Sequence, residues 1–115
     1  MDSPSVAVVI LNWNGKKFLE QFLPSLVRTT YHNHTLYVAD NASTDDSIDF
    51  LTSHYPQVRV IRNSGNLGYT GGYNAALQHV QADYYALLNS DVEVIPGWIE
   101  PMISLMEKDK SIGAC

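Results

Sequence analysis

The chain has 115 residues, 45% hydrophobic and 17% charged, with seven Lys and Arg against twelve Asp and Glu for a formal net charge of -5. This bounds it to one domain able to bury a core, excludes wholesale disorder, and argues against a nucleic-acid-binding surface because no basic stripe is present. The single cysteine, Cys115, allows no internal disulfide and fits a reducing compartment; the opening residues lack the form of a signal peptide, and no apolar run reaches the ~20 residues of a bilayer span.

Val6 to Leu11 is a continuous β-branched and aliphatic run, the pattern of a strand buried on both faces. From Lys16 to Val27, Phe18, Leu19, Phe22, Leu23 and Leu26 follow the three- and four-residue spacing of a helical core stripe, with Pro24 implying a kink or a restart. After the polar turn Tyr31-His32-Asn33-His34, Leu36 to Ala39 makes a second strand that Asp40-Asn41 closes. Ser43 with Asp46 has the form of a capping box, which predicts a helix running to about Tyr55, where Pro56 stops it. Val58 to Ile61 is a third strand. Asn63 to Gly72 reads as a glycine- and asparagine-rich loop, and Tyr73 to Val80 as the helix after it. Tyr84 to Leu88 predicts a fourth strand, buried, and Pro96 suits the first turn of a helix that carries Trp98, Ile99, Met102, Ile103, Leu105 and Met106, with Pro101 in an early turn. Ser111 to Cys115 opens like a fifth strand, so the sequence is expected to end inside a domain. Strand and helix alternate with short connections throughout, and right-handed crossovers build such a pattern into an α/β fold, a mostly parallel sheet with helices on both faces.

Candidate function gathers at the strand ends. Apolar runs stop at Asn12-Trp13-Asn14, at Asp40-Asn41, at Asn63-Ser64-Gly65-Asn66 and at Asn89-Ser90-Asp91, and the carboxyl ends of parallel strands are where open α/β sheets bind ligands. Asp91 is either a turn residue or a hard oxygen ligand for Mg²⁺ or Mn²⁺, which takes one or two carboxylates and completes its shell with substrate phosphates. Glu93 either assists it or faces solvent. Asp40 and Asn41 either cap the next helix or accept the imide N–H of a pyrimidine base. Trp13 is a rim tryptophan or a face for stacking on a base. Glycines in the 64–72 segment let backbone N–H groups approach an anion, with a helix N-terminus following. The four histidines, His32, His34, His54 and His79, lack metal-site spacing and read as surface residues.

Taken in order, Val8-Val9-Ile10-Leu11-Asn12-Trp13-Asn14-Gly15, Val38-Ala39-Asp40-Asn41-Ala42-Ser43-Thr44-Asp45, Asn66-Leu67-Gly68-Tyr69-Thr70-Gly71-Gly72-Tyr73-Asn74 and Leu88-Asn89-Ser90-Asp91 resemble the family 2 glycosyltransferases, closest to the branch of rhamnosyltransferase-like proteins of bacterial polysaccharide assembly. The resemblance covers nearly the whole sequence. It implies a GT-A fold, with residues 1–115 as the donor-binding part, and a metal bridging the diphosphate of a nucleotide-diphosphate sugar, UDP- or dTDP-linked. By position Trp13 stacks on the base, Asp40 and Asn41 stand where the family has paired acids, and Asp91 is the metal ligand, Mg²⁺ or Mn²⁺. Asn89 replaces the first aspartate of the metal motif and contacts ribose or sugar. Leu11, Asn12, Asn14, Asn66, Gly68, Gly71, Gly72, Asn74 and Ser90 complete the implied donor site.

Inverting members use a later carboxylate as general base, and Glu107 and Asp109 fall too late in the last helix, so the base is expected beyond Cys115 and residues 1–115 are expected to bind donor without turnover. The implied acceptor is a glycan or lipid-linked hydroxyl, and the implied location is cytoplasmic, at the inner membrane face in a longer protein. Two rival classes are a nucleotidyltransferase, which wants a basic glycine loop where Asn14-Gly15-Lys16-Lys17 stands, and a receiver-type signalling domain, which wants an acidic pair after its first strand.

Overall fold

Residues 3–109 are described by a computed structural model. The uninterrupted apolar run forms β1 (Val6–Asn12) at the interior of a four-stranded parallel sheet, flanked by β2 (His34–Asp40) and β4 (Tyr84–Asn89), with β3 (Arg59–Arg62) outside β2, in the order β3-β2-β1-β4. Val8 and Val9, adjacent in sequence and on opposite faces, are both fully buried, as a strand covered on two sides requires.

The connections are α1 (Lys16–Leu26), α2 (Ser47–His54), α3 (Gly68–Leu77) and α4 (Ile99–Lys108). One face of the sheet carries Val6, Val8, Ile10, Leu36 and Val38 against Leu19, Leu23 and Leu26 of α1, Leu51 of α2, and Ile99 and Ile103 of α4. The other carries Ala7, Val9 and Ala39 against Tyr73 and Ala76 of α3 and Val80 beyond it. Alanines on the second face admit the bulky Tyr73, whose hydroxyl donates to the Leu88 carbonyl at 2.5 Å. Helices on both faces of a parallel sheet match the fold class expected from the alternation.

Several boundaries differ, each for a local reason. Of the α1 stripe, Leu19, Leu23 and Leu26 are buried while Phe18 is half-exposed. Pro24 neither stops nor restarts the helix; it sits in the last turn, where the carbonyl it leaves without an i+4 partner belongs to exposed Glu20. Ser43 is not a helix cap: α2 begins at Ser47, and Asp45 serves its start, accepting from the Ser47 backbone N–H at 3.0 Å and its hydroxyl at 2.5 Å. The glycine-rich stretch is helical from Gly68, five residues earlier than expected. β4 is not a buried strand: among the described residues it is a terminal strand of alternating exposure, because α3 packs on β1 and β2 and leaves Tyr85 and Leu87 uncovered. The expected fifth strand and Cys115 lie outside the described residues.

Candidate functional site

Because every strand is parallel, the polar tips fall along one rim. Asn12 pairs with Asp40 in register, Asp40 with Arg62, and Leu11 with Asn89. Backbone hydrogen bonds extend the ladder past the strands: Asn41 N donates to the Asn12 carbonyl and Asn63 N to the Asp40 carbonyl, both at 2.8 Å. The expectation that four tips remote in sequence converge is met.

The expected residues divide into two layers. Trp13 at 54% exposure, Asn14, Asn66, Gly68, Asn74, Asn89 and Asp91 face solvent, with Ser90 and Gly71 half-buried. Beneath them, Asn12, Asp40, Asn41 and Gly72 are buried and Leu11 half-buried. The Asp40 carboxylate is satisfied from within: Oδ1 accepts from Asn12 Nδ2 at 2.9 Å and the Ser43 hydroxyl at 2.6 Å, and Oδ2 accepts from Ser43 N at 2.8 Å. It therefore braces the tip of β2 against that of β1. Asn12 Oδ1, facing Gly15, is the buried side-chain polar atom without a partner among the described residues.

Asn14 holds a left-handed backbone, φ 50°, a conformation that asparagine tolerates better than most residues. Its Oδ1 accepts from Thr44 N at 2.7 Å and Asp45 N at 3.1 Å, and its own N–H donates to the Ser43 hydroxyl at 2.9 Å. Trp13 is thus flanked by two anchored neighbours, with its ring outside. Asn41, expected to present an oxygen to a base, is turned inward instead. Its Oδ1 accepts from Asn63 Nδ2 at 2.7 Å and its Nδ2 donates to the Gly68 carbonyl at 3.0 Å, because the residue after β3 takes one end of the amide and the start of α3 the other.

Sequence reasoning placed Asn63 at a strand tip without a role there, and missed Ser43, Thr44 and Asp45 as parts of this rim. It also missed Tyr69, an aromatic 61% exposed in the first turn of α3 that rests edge-on against Tyr73. The signal was present in the Ser/Thr/Asp-rich turn after β2, but it reads equally as helix capping. His32, His54 and His79 are exposed and His34 bonds the Tyr31 carbonyl. Among the described residues no three His, Cys, Asp or Glu side chains form a metal cage, and no helix is long and apolar enough to cross a membrane. The Asp91 carboxylate is exposed and in no ion pair among these residues. It fits a site in which one carboxylate holds a hard divalent cation and the ligand's own phosphates supply further oxygens.

A family model described as glycosyl transferase family 2 matches residues 7–115. An uncharacterised glycosyltransferase of Haemophilus influenzae is 27% identical over 114 residues, covering 96% of this chain and 35% of its own length. An N-acetylglucosaminyl-diphospho-decaprenol L-rhamnosyltransferase of Mycobacterium tuberculosis is 28% identical over 118 residues, covering 93% of this chain and 38% of its own. The chain therefore spans little more than a third of these relatives. Among solved structures, S. aureus TarS 1-349 in complex with UDP-GlcNAc superposes with a TM-score of 0.81 at 17% identity, over 92% of this chain and 32% of that one. A mannosyltransferase from Pyrobaculum calidifontis in complex with GDP-Man and Mn²⁺ superposes with a TM-score of 0.71 at 20% identity, over 81% of this chain and 29% of that one.

Proposed function

The chain belongs to glycosyl transferase family 2, and on that premise we propose that it is the donor-binding part of a metal-dependent, inverting enzyme that moves a hexosyl unit from a UDP- or dTDP-sugar to a hydroxyl of a glycan or lipid-linked acceptor. Its fold is of the GT-A type. The observation that carries the proposal is the rim itself, where exposed Trp13 and exposed Asp91, in no ion pair among the described residues, stand on the same edge of one parallel sheet.

Each residue has a part set by its surroundings. Trp13 offers an aromatic face to the base, and an anchored backbone on either side keeps that face in place. Asn12, Asp40 and Ser43 hold the two tips beneath it. The start of α3 turns toward the rim backbone N–H groups that no preceding turn of helix uses, a setting that favours phosphate. Asn89 and Ser90 lead the chain to Asp91, which would hold Mg²⁺ or Mn²⁺. A divalent cation bound there supplies charge neutralisation for the departing diphosphate.

The general base belongs to residues beyond this rim. Glu107 bonds the Tyr84 hydroxyl, at the amino end of β4 and the far side of the sheet, so it stands away from the acceptor. Residues 1–115 are accordingly expected to bind donor without turnover. A cytoplasmic location, where nucleotide sugars are made, goes with this reading. The nucleotidyltransferase alternative is weakened by Lys16, whose ammonium is paired with Asp46 at 3.1 Å.

Calorimetric titration with UDP- and dTDP-sugars tests the proposal. Mn²⁺ should strengthen binding by about tenfold or more, a change of ~1.4 kcal/mol. Asp91→Ala should remove that gain while leaving the metal-free affinity in place. Equal affinity with and without Mn²⁺ in the unmodified chain would overturn the metal-dependent reading.

A further inference from the structure

Asn41 occupies a position that a carboxylate would fill if its task were to accept from a base, yet the surrounding atoms call for a donor. It is 2% exposed. Its Nδ2 lies 3.0 Å from the Gly68 carbonyl and 3.4 Å from Asn66 Oδ1, both acceptors, and its Oδ1 lies 2.7 Å from Asn63 Nδ2, a donor. Turning the amide over would set oxygen against oxygen and N–H against N–H, so these partners determine its orientation. Asn63 Nδ2 also reaches the Gly72 carbonyl at 3.2 Å. Gly68 itself has a left-handed backbone, φ 75°, its N–H held by Asn66 Oδ1 at 3.2 Å and its carbonyl by Asn41. A Cβ at Gly72 would come within 2.8 Å of both polar atoms of the Asn41 amide, so the amide fills the space that a side chain at position 72 would need.

We propose that Asn41, bridged to Asn63, is a positioning residue that fixes the first turn of α3 against the tip of β2 and does not touch the base, and that an amide stands at position 41 because it must donate to the Gly68 carbonyl. This rests on the donor-binding reading of the rim. A carboxylate here would keep the bond from Asn63 but would face the Gly68 carbonyl and Asn66 Oδ1 with no hydrogen to give, and buried like-signed dipoles and charges repel strongly. The first turn of α3 would then lose its tether, and with it the backbone N–H groups offered to phosphate. A residue in direct contact with an imide N–H has the opposite expectation, since a carboxylate accepts more strongly than an amide oxygen.

Asn41→Asp and Asn41→Ala separate the two roles when each chain is titrated with UDP and with uridine. A positioning role predicts that Asn41→Asp weakens UDP by about tenfold or more and uridine by less than about twofold, with Asn41→Ala no worse than Asn41→Asp. Asn41→Asp binding both ligands as tightly as the unmodified chain, or losing both equally, would overturn it. Hydrogen exchange without nucleotide decides the matter independently of the rim's function. The amides of residues 68–72 should exchange about tenfold faster in Asn41→Asp, with β1 unchanged; unchanged exchange at 68–72 would overturn the tether even if no nucleotide binds. Should the variant fail to fold, the unmodified chain still answers: the Asn41 side-chain amide protons should exchange at least about tenfold slower than those of exposed Asn74, and equal rates would overturn the bridge.

Discussion

A methyl group added at Gly72 would lie 2.6 Å from Leu11 Cδ1 and 2.8 Å from the Asn41 amide, so this glycine is required by close approach of helix to sheet and not by its backbone angle. Gly72→Ala is expected to lower stability by about 1–3 kcal/mol, the range for overpacking a tight site, measured as a shift in the denaturant midpoint at unchanged slope. Gly65→Ala, where nothing lies within 4 Å, serves as the comparison and should shift far less. The same crowding explains why the polar residues here were legible only as a set. Asn12, Asp40 and Asn41 stand at strand ends in the sequence, which marks them as rim residues, but nothing local says that their side chains are consumed by Ser43, Asn63 and Gly68. Asp91 and Trp13 have no such side-chain partners among the described residues and face solvent.

At the scale of elements, α3 is the connection that ties the two ends of the site together. It crosses from β3 at one edge of the sheet to β4 at the other, and Tyr73 anchors it by its bond to the Leu88 carbonyl. Burial pushes the Tyr73 hydroxyl up from its ordinary 10.0 to about 12, because the ionised form is poorly solvated there. A raised value favours the neutral form in the folded chain, so its stabilising contribution is complete below about pH 10 and is lost as pH climbs toward about 12. Denaturant unfolding across that window should show stability falling with pH, and Tyr73→Phe should flatten the fall. Some slope should persist in the variant, since burial raises Tyr31 as well. The starts of α2 and α3 were misread for a common reason. Ser43 and the 68–72 glycines carry strong local turn chemistry, and tertiary bonds from Asp40, Asn14 and Asn41 redirected it.

At the scale of the whole molecule, the two terminal strands of the sheet among the described residues are β3 and β4. Tyr85 and Leu87 of β4, each 45% exposed, share the sheet face of Ala7 and Val9 but lie beyond the part of it that α3 covers, next to a strand edge without a partner among the described residues. Exposed apolar edges of this kind promote association between chains. Leu87→Lys should reduce concentration-dependent self-association, measured by sedimentation velocity, and move the unfolding midpoint by no more than about 0.5 kcal/mol; unchanged association would show that this edge is not the contact. The amino-acid order by itself determined the alternation of strand and helix, the parallel sheet, the family and the row of polar tips, because hydrophobic period and chain connectivity are local properties that right-handed crossovers convert into one topology. Which tip residues face outward, where α3 begins and that β4 alternates between half-buried and exposed positions were decided only in three dimensions. Burial and hydrogen-bond partnership depend on neighbours such as Asn63 and Gly68, more than twenty residues from Asn41 along the chain, and no local pattern encodes those encounters.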